Sequence, residues 1–145
     1  MSRLWADRPT TVATILTLVG IGIAGYLTYV HYEGLSPVCT TGGCERVQAS
    51  SYSEIGPIPV ALLGLIGYVL ILFSLFVPGE LGRAMTFMFT LTGFAFSIYL
   101  TYLELFVIDA ICQWCVGSAV VMTLLFIASA VRLLRPAAPA RPAPG

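Results

Sequence analysis

Residues 110–131 read AICQWCVGSAVVMTLLFIASAV, and this stretch decides the fold. It runs for 22 residues without a charged side chain, and an α-helix needs about 20 apolar residues to cross a bilayer. A helix satisfies its own backbone hydrogen bonds, for which lipid offers no partners. The stretch therefore predicts a transmembrane helix with a C-x-x-C motif at its start.

Three further charge-free stretches precede it, at residues 9–30, 55–79 and 84–103. The chain is 58% hydrophobic and 10% charged, whereas soluble domains carry about 25% charged residues. Its net charge of zero argues against a nucleic-acid partner, because binding phosphates requires excess positive charge. We expect an all-α integral membrane protein in one domain (1–135), a bundle of four transmembrane helices at about 10–31, 57–77, 84–106 and 111–133. A long extracytoplasmic loop would join helices 1 and 2.

The arginines are distributed unevenly in such a bundle. Six of the seven fall on the side of the two termini, and Arg46 alone falls in the long loop. Because basic residues are in excess on the cytoplasmic side, both termini are predicted to be cytoplasmic and the cysteines extracytoplasmic. The absence of lysine and the Ala/Pro/Arg-rich end suggest a GC-rich bacterial genome, and the expected location is the bacterial plasma (inner) membrane. Residues 136–145 are expected to form a disordered cytoplasmic tail.

The four cysteines form two pairs. Cys39 and Cys44 flank the sequence TTGG in the long loop, and Cys112 and Cys115 form the C-x-x-C. Residues three apart share a helix face, so the two sulfurs of the second pair can bond to each other. A helix N-terminus also stabilises a thiolate. A loop pair beside a membrane-embedded pair has the layout of a relay for thiol–disulfide exchange.

Two structural alternatives stay open on the residues alone. The chain could be a tetraspan membrane protein stapled by two static disulfides, or one that holds a zinc ion with four thiolates. A C-x-x-C at a helix start is an unusual place for a loop staple, and few polar groups are available to surround a zinc site. We favour a redox pair without a metal.

The residues around the cysteines resemble those of the vitamin K epoxide reductase family, in its bacterial form. The resemblance runs from helix 1 to helix 4 and rests on four segments: CTTGGCERVQAS (39–50), SYSEIGPIPV (51–60), YLTYLEL (99–105) and ICQWC (111–115). A C-x-x-C alone is a weak signal. The ordered set of a loop pair, a serine six residues later and a C-x-x-C opening helix 4 is specific.

The resemblance implies an enzyme that oxidises a thioredoxin-like (DsbA-like) extracytoplasmic protein and reduces a quinone of the ubiquinone, menaquinone or vitamin K type, supporting disulfide bond formation. Cys39 and Cys44 match the family's shuttle pair, and Cys112 matches the cysteine that exchanges with it, through Cys44. Cys115 matches the cysteine beside the quinone, and Ser50 matches a serine near the quinone head group. Since this chain has no fused thioredoxin-like domain, its partner is expected to be a separate protein.

The chain also departs from the vertebrate pattern. Vertebrate enzymes place an asparagine near the start of helix 2, where this chain reads Pro59-Val60-Ala61, and a tyrosine where it has Ala119. Both missing side chains are hydrogen-bond donors, so plain quinone reduction is favoured over epoxide reduction.

Three further residues are candidates for the quinone pocket. Tyr52 and Trp114 are aromatic residues near the cysteines, and Glu104 is an ionisable group near the outer end of helix 3. An ionisable residue at membrane depth is a candidate functional group. His31, the single histidine, could titrate near neutral pH, but its position at the interface favours a hydrated, structural role.

Overall fold

A computed structural model describes residues 8–35, 38, 39, 43, 46 and 54–134. Most of this part of the chain lies in four helices, α1 (Arg8–Tyr32), α2 (Val60–Phe76), α3 (Gly79–Tyr102) and α4 (Gln113–Leu134). A hairpin of two antiparallel strands, β1 (Glu54–Ile55) and β2 (Ile58–Pro59), precedes α2, and a π-helical turn (Leu103–Ile108) follows α3. Three predicted site residues, Cys44, Ser50 and Tyr52, and the predicted tail at 136–145 lie outside the described residues.

The helices pack in a ring, in which α1 contacts α2 and α4, and α3 also contacts α2 and α4. The core lies between α1, α2 and α4 and is formed by Ala13, Ala24, Tyr68, Ile71, Leu75, Val121, Met122 and Leu125. The outer surface is apolar too; Phe73, for example, is 65% exposed. A surface of this kind suits lipid, because contiguous apolar patches are rare on proteins that face water.

Three helical segments among the described residues are long and apolar enough to cross a membrane: Thr10–Tyr32, Gly79–Ile108 and Gln113–Leu134. The fourth helix, α2, is also apolar but has 17 residues, which is about 26 Å at 1.5 Å per residue. The prediction of a mostly helical, apolar membrane protein is therefore confirmed.

The second helix begins at Val60, three residues after the predicted start. The hairpin turns at Gly56, whose φ of 62° lies in the left-handed region that glycine adopts without strain. Its second strand ends at Pro59. The apolar residues 57–59 therefore belong to the hairpin, a distinction that hydropathy alone does not make.

The third helix begins at Gly79, five residues before the predicted start. Its first turn carries Glu80, which pairs with Arg83 at 2.9 Å. Hydropathy excludes this first turn from the predicted helix because it contains charged residues. An acidic residue in the first turn nevertheless favours a helix N-terminus.

Hydroxyl pairs join the helices at the end of the bundle far from the cysteines. The side chains of Ser74 and Thr86 hydrogen-bond between α2 and α3 at 2.8 Å. Those of Thr90 and Ser129 do the same between α3 and α4 at 2.6 Å. Such contacts between small polar residues stabilise helix association where water is excluded. They hold the far end together, while the other end carries the cysteines.

Candidate thiol redox site

Cys112 lies at the N-terminal cap of α4. Its carbonyl oxygen accepts the N–H of Val116 at 3.0 Å, the first hydrogen bond of the helix. Its sulfur accepts the backbone N–H groups of Trp114 and Cys115, as a cap side chain does. The side chain is fully buried. The sequence therefore places a thiol where a helix offers unpaired donors and partial positive charge.

These contacts make Cys112 acidic. The hydrogen bond from the Cys115 thiol is the largest influence and, with the two N–H groups, lowers the pKa of Cys112 from 9.0 to about 7; burial and the charge of Glu104 oppose this shift. About half of the Cys112 side chains would then be thiolate at neutral pH, and the thiolate is the nucleophile in disulfide exchange.

Cys115 lies one turn further into α4 and lines a cavity of about 520 Å³, which we call the bundle cavity. Residues of all four helices line this cavity. Its walls are mostly apolar and include Ile23, Leu27, Leu63, Leu70, Ile71, Phe89, Phe96 and Met122. Cys112 instead packs with Ala110, Ile108 and Cys39 on the loop side of the helix start. Cys115 also packs against this cluster, but of the two thiols Cys115 alone lines the bundle cavity.

A pair of polar side chains lies on the wall of the bundle cavity. The Tyr68 hydroxyl lies 2.8 Å from the Ser118 hydroxyl and donates to the Ser118 carbonyl oxygen at 3.0 Å. The Tyr68 ring packs on Gly20, where an added Cβ would lie 2.3 Å from a ring carbon. Sequence reasoning missed both polar residues. Ser118 could have been found, since it lies three residues after Cys115 on the same helix face.

The π-helical turn brings Glu104 to the start of α4. Asp109, with φ 56°, ends the turn, and the N–H of Ala110 donates to the Glu104 carbonyl oxygen at 3.1 Å. The Glu104 side chain is 5% exposed. It accepts the N–H of Cys112 at 3.2 Å and hydrogen-bonds the Cys115 thiol. One carboxyl group therefore contacts both residues of the C-x-x-C.

Glu104 also separates two cavities. It lines the bundle cavity and a second cavity of about 520 Å³, which we call the loop cavity. The loop cavity is formed by Gly43, Arg46, Glu104, Leu105, Asp109, Ala110 and Ile111. The sequence had placed Glu104 near the quinone pocket but gave no sign of this second cavity.

Cys39 lies beside the inner pair. It packs against the cluster of Cys112 and Ala110 and is disulfide-bonded, whereas Cys112 and Cys115 are free thiols. Its predicted partner, Cys44, lies outside the described residues. The structure therefore brings three of the four predicted cysteines to one end of the bundle, with the inner pair reduced.

Trp114 has a different position from the one expected of a pocket residue. Its indole N–H donates to the carbonyl oxygen of Val38 at 2.6 Å, and its ring lies 4.9 Å from that of Tyr26. The Tyr26 hydroxyl accepts the N–H of Val38 at 3.0 Å. Trp114 thus contacts the segment that carries Cys39, and it is not among the residues that line the bundle cavity.

His31 Nε2 and Glu54 Oε1 are hydrogen-bonded at 2.8 Å. This contact joins the end of α1 to β1. It fixes the hairpin that leads into α2 and makes no contact with the cysteines among the described residues.

Comparison with known protein families identifies the chain. Residues 11–130 of the 145 match the model of the vitamin K epoxide reductase family. The match extends from the first turn of α1 to within a few residues of the end of α4. It includes Cys39, Cys112, Cys115 and Glu104. The resemblance drawn from the cysteine motifs is confirmed, and the chain belongs to the vitamin K epoxide reductase family.

Proposed function

We propose that this chain passes two electrons from a thioredoxin-like extracytoplasmic protein, through Cys39/Cys44 and then Cys112/Cys115, to a quinone in the bundle cavity. Membership of the family makes the chain a membrane oxidoreductase of the thiol–disulfide type. The finer proposal rests on the different positions of Cys112 and Cys115. Cys39 packs against the cluster of Ala110 and Cys112, whereas Cys115, which also packs against this cluster, is the inner thiol that lines the cavity.

A quinone head group fits the residues of the bundle cavity. The volume of about 520 Å³ is within the range of small-molecule pockets, which are mostly apolar with a few placed polar groups. Here those groups include the Tyr68–Ser118 pair and the Glu104 carboxyl, and the hydroxyl residues Thr92, Ser97 and Thr101 also line the cavity. A bound quinone supplies a two-electron acceptor beside the Cys115 thiol.

The inner pair is built for exchange at Cys112. A thiol of the loop pair attacks a Cys112–Cys115 disulfide at Cys112, which releases Cys115 toward the cavity. The second thiol of the loop pair then attacks the loop sulfur of the mixed disulfide, which closes the loop disulfide and releases Cys112. The hydrogen bonds that lower the pKa of Cys112 to about 7 make it a good leaving group in this second step, because thiols of lower pKa leave faster. An oxidised Cys39 beside two free inner thiols corresponds to the state after the electrons have reached the inner pair.

Plain quinone reduction is the chemistry that the cavity wall favours. Val60, Ala61 and Ala119 all line the bundle cavity, and none of them can donate a hydrogen bond. These are the positions at which the vertebrate pattern has donors. We therefore propose a quinone rather than a quinone epoxide as the substrate.

We further propose that all four helices span a bacterial plasma membrane with both termini in the cytoplasm. The arginine distribution favours this orientation. It places the cysteine end of the bundle outside the cytoplasm, where disulfides persist.

Membranes containing the chain should oxidise a reduced thioredoxin-like protein when a quinone is added. Cys112→Ala and Cys115→Ala should each abolish quinone reduction while the protein remains folded. Normal quinone turnover by Cys115→Ala would refute the proposed route. A stapled structural protein would instead lose stability, and a zinc protein would retain stoichiometric metal in elemental analysis of the purified chain.

A further inference from the structure

We propose that Glu104 carries protons between the loop cavity and the bundle cavity, taking the proton of the Cys115 thiol and delivering protons to the oxygens of the bound acceptor. This inference rests on the proposed quinone reduction and assigns its proton carrier. It depends on the position of one carboxyl group, which contacts Cys115 and forms part of both cavity walls.

The contacts of Glu104 leave its carboxyl able to exchange protons on two sides. The Cys112 N–H orients the carboxyl at 3.2 Å, and no basic side chain within the described ranges forms an ion pair with it. The Cys115 thiol is its hydrogen-bond partner toward the bundle cavity. On the other side, Arg46 and Asp109 are the charged residues that line the loop cavity with it in the part of the chain that the structure describes.

The proton balance of the reaction requires such a carrier. In quinone reduction the Cys112 thiolate and the Cys115 thiol form a disulfide, and two electrons pass to the quinone. When Cys112 reacts as the thiolate, the product hydroquinone gains one proton from the Cys115 thiol and one from outside the pair. Apolar walls surround most of the bundle cavity, so a buried carboxyl at its border provides the route for the second proton.

Burial of a carboxyl at this depth is otherwise costly. An ionisable group inside a membrane is retained where it pairs with another group or serves transport of charge. Glu104 is 5% exposed, and no ion pair to it is found among the described residues. Its partners are a backbone N–H and a thiol, both of which belong to the reacting C-x-x-C.

The test compares Glu104→Gln with Glu104→Asp, and uses Glu33→Gln, an exposed carboxyl beyond α1, as the matched control. Gln keeps the size of the side chain and can still accept the Cys112 N–H, but it cannot carry a proton. Glu104→Gln should lower quinone reduction by about 100-fold or more, within the range for general acid–base groups. Glu104→Asp should restore part of the rate, and Glu33→Gln should match the parent chain.

A second readout needs no quinone. In a Cys112→Ser background, N-ethylmaleimide should alkylate Cys115 at least about threefold faster at neutral pH when Glu104 is replaced by Gln, because Gln removes the negative charge and the acceptor that hold the proton on the Cys115 thiol. The rate of exchange between the loop pair and Cys112 is measured in the chain that keeps Cys112. In Glu104→Gln this rate should stay within about threefold of the parent rate. A merely structural Glu104 would slow both processes together.

The outcomes separate this inference from the proposed function. If the parent chain reduces quinone and Glu104→Gln matches it in both assays, Glu104 is not the proton carrier and the quinone proposal stands. If the parent chain transfers no electrons to quinone, the proposed function fails. In that case the alkylation of Cys115 still reports whether Glu104 controls the protonation of its thiol.

Discussion

The indole N–H of Trp114 donates to the carbonyl oxygen of Val38 at 2.6 Å. Trp114 lies inside the C-x-x-C, and Val38 immediately precedes Cys39, so this hydrogen bond joins the two segments between which thiols must exchange. Tyr26 holds the N–H of the same residue from α1. Val38, which precedes Cys39, is thus hydrogen-bonded to side chains of both α1 and α4.

Replacing Trp114 by Phe should slow exchange between the loop pair and the inner pair. Phe keeps an aromatic ring against Tyr26 but removes the N–H donor, a loss of about 0.5–1.5 kcal/mol, or roughly 2- to 13-fold in rate. Stopped-flow measurement of electron transfer from a reduced partner would record it. In Trp114→Phe, the rate of quinone reduction by a chemically reduced inner pair should be unchanged. Tyr99→Phe is the control, because Tyr99 is an exposed aromatic residue at the same end of the bundle; neither the exchange rate nor the quinone-reduction rate should change in it.

Alkylation of Cys112 should rise with pH around a midpoint near 7. Its pKa is lowered from 9.0 to about 7, so the thiolate is the main form above pH 7 and disappears as the pH falls below it. Cys115→Ala removes the largest cause of the shift and should move the midpoint upward toward 9. Mass spectrometry of the alkylated C-x-x-C peptide checks both profiles, and equal midpoints would contradict the assigned hydrogen bond.

Tyr68→Phe should raise the KM for quinone by about 3- to 10-fold, the loss expected for one hydrogen bond. The variant removes the hydroxyl that pairs with Ser118 on the cavity wall. Ser74→Ala is the matched control, because it removes a buried hydroxyl that pairs with Thr86 far from the cysteines. It should lower thermal stability to a similar degree and leave KM unchanged.

Filling the cavity should block quinone reduction without unfolding the bundle. Gly64 lines the bundle cavity, and an added Cβ there meets no atom within 4 Å. Gly64→Leu occupies that space, and replacing a helical glycine is favourable by up to about 1 kcal/mol. Steady-state quinone reduction should fall at least about tenfold while Tm is kept.

Gly22→Leu provides the comparison for this variant. Gly22 is an exposed helical glycine of α1 whose added Cβ also meets nothing within 4 Å, and it does not line the cavity. Equal loss of quinone reduction in both variants would argue against the bundle cavity as the quinone site.

Sequence reasoning predicted the parts of the site that follow from spacing along one helix. Three-residue spacing placed Cys112 and Cys115 together, and the hydropathy pattern placed them at a helix start. The position of Glu104 beside the C-x-x-C could not be read in this way, because it depends on a π-helical turn that ends at Asp109. No hydropathy pattern distinguishes such a turn from an α-helix.

Contacts between residues far apart in the sequence could not be predicted either. Tyr68 and Ser118 are 50 residues apart, and Trp114 and Val38 are 76 apart. An aromatic residue near a membrane surface most often serves as an anchor, so the sequence could not tell which of them would hold the loop. The assignment of Trp114 to the quinone pocket reflected its closeness to Cys115 in sequence, whereas side chains on successive helix positions point in different directions.

The length of α2 has a consequence for the surrounding lipid. Its 17 residues cover about 26 Å, some 4 Å less than the hydrocarbon thickness of an average bilayer. A short span is accommodated by local thinning of the bilayer. Because α2 contributes Val60, Ala61 and Gly64 to the cavity wall, this hydrophobic mismatch lies on the cavity side. If α2 spans the bilayer, the lipid head groups lie closer to the quinone site. The acyl-chain length of the surrounding lipids then affects how readily a quinone enters the bundle cavity.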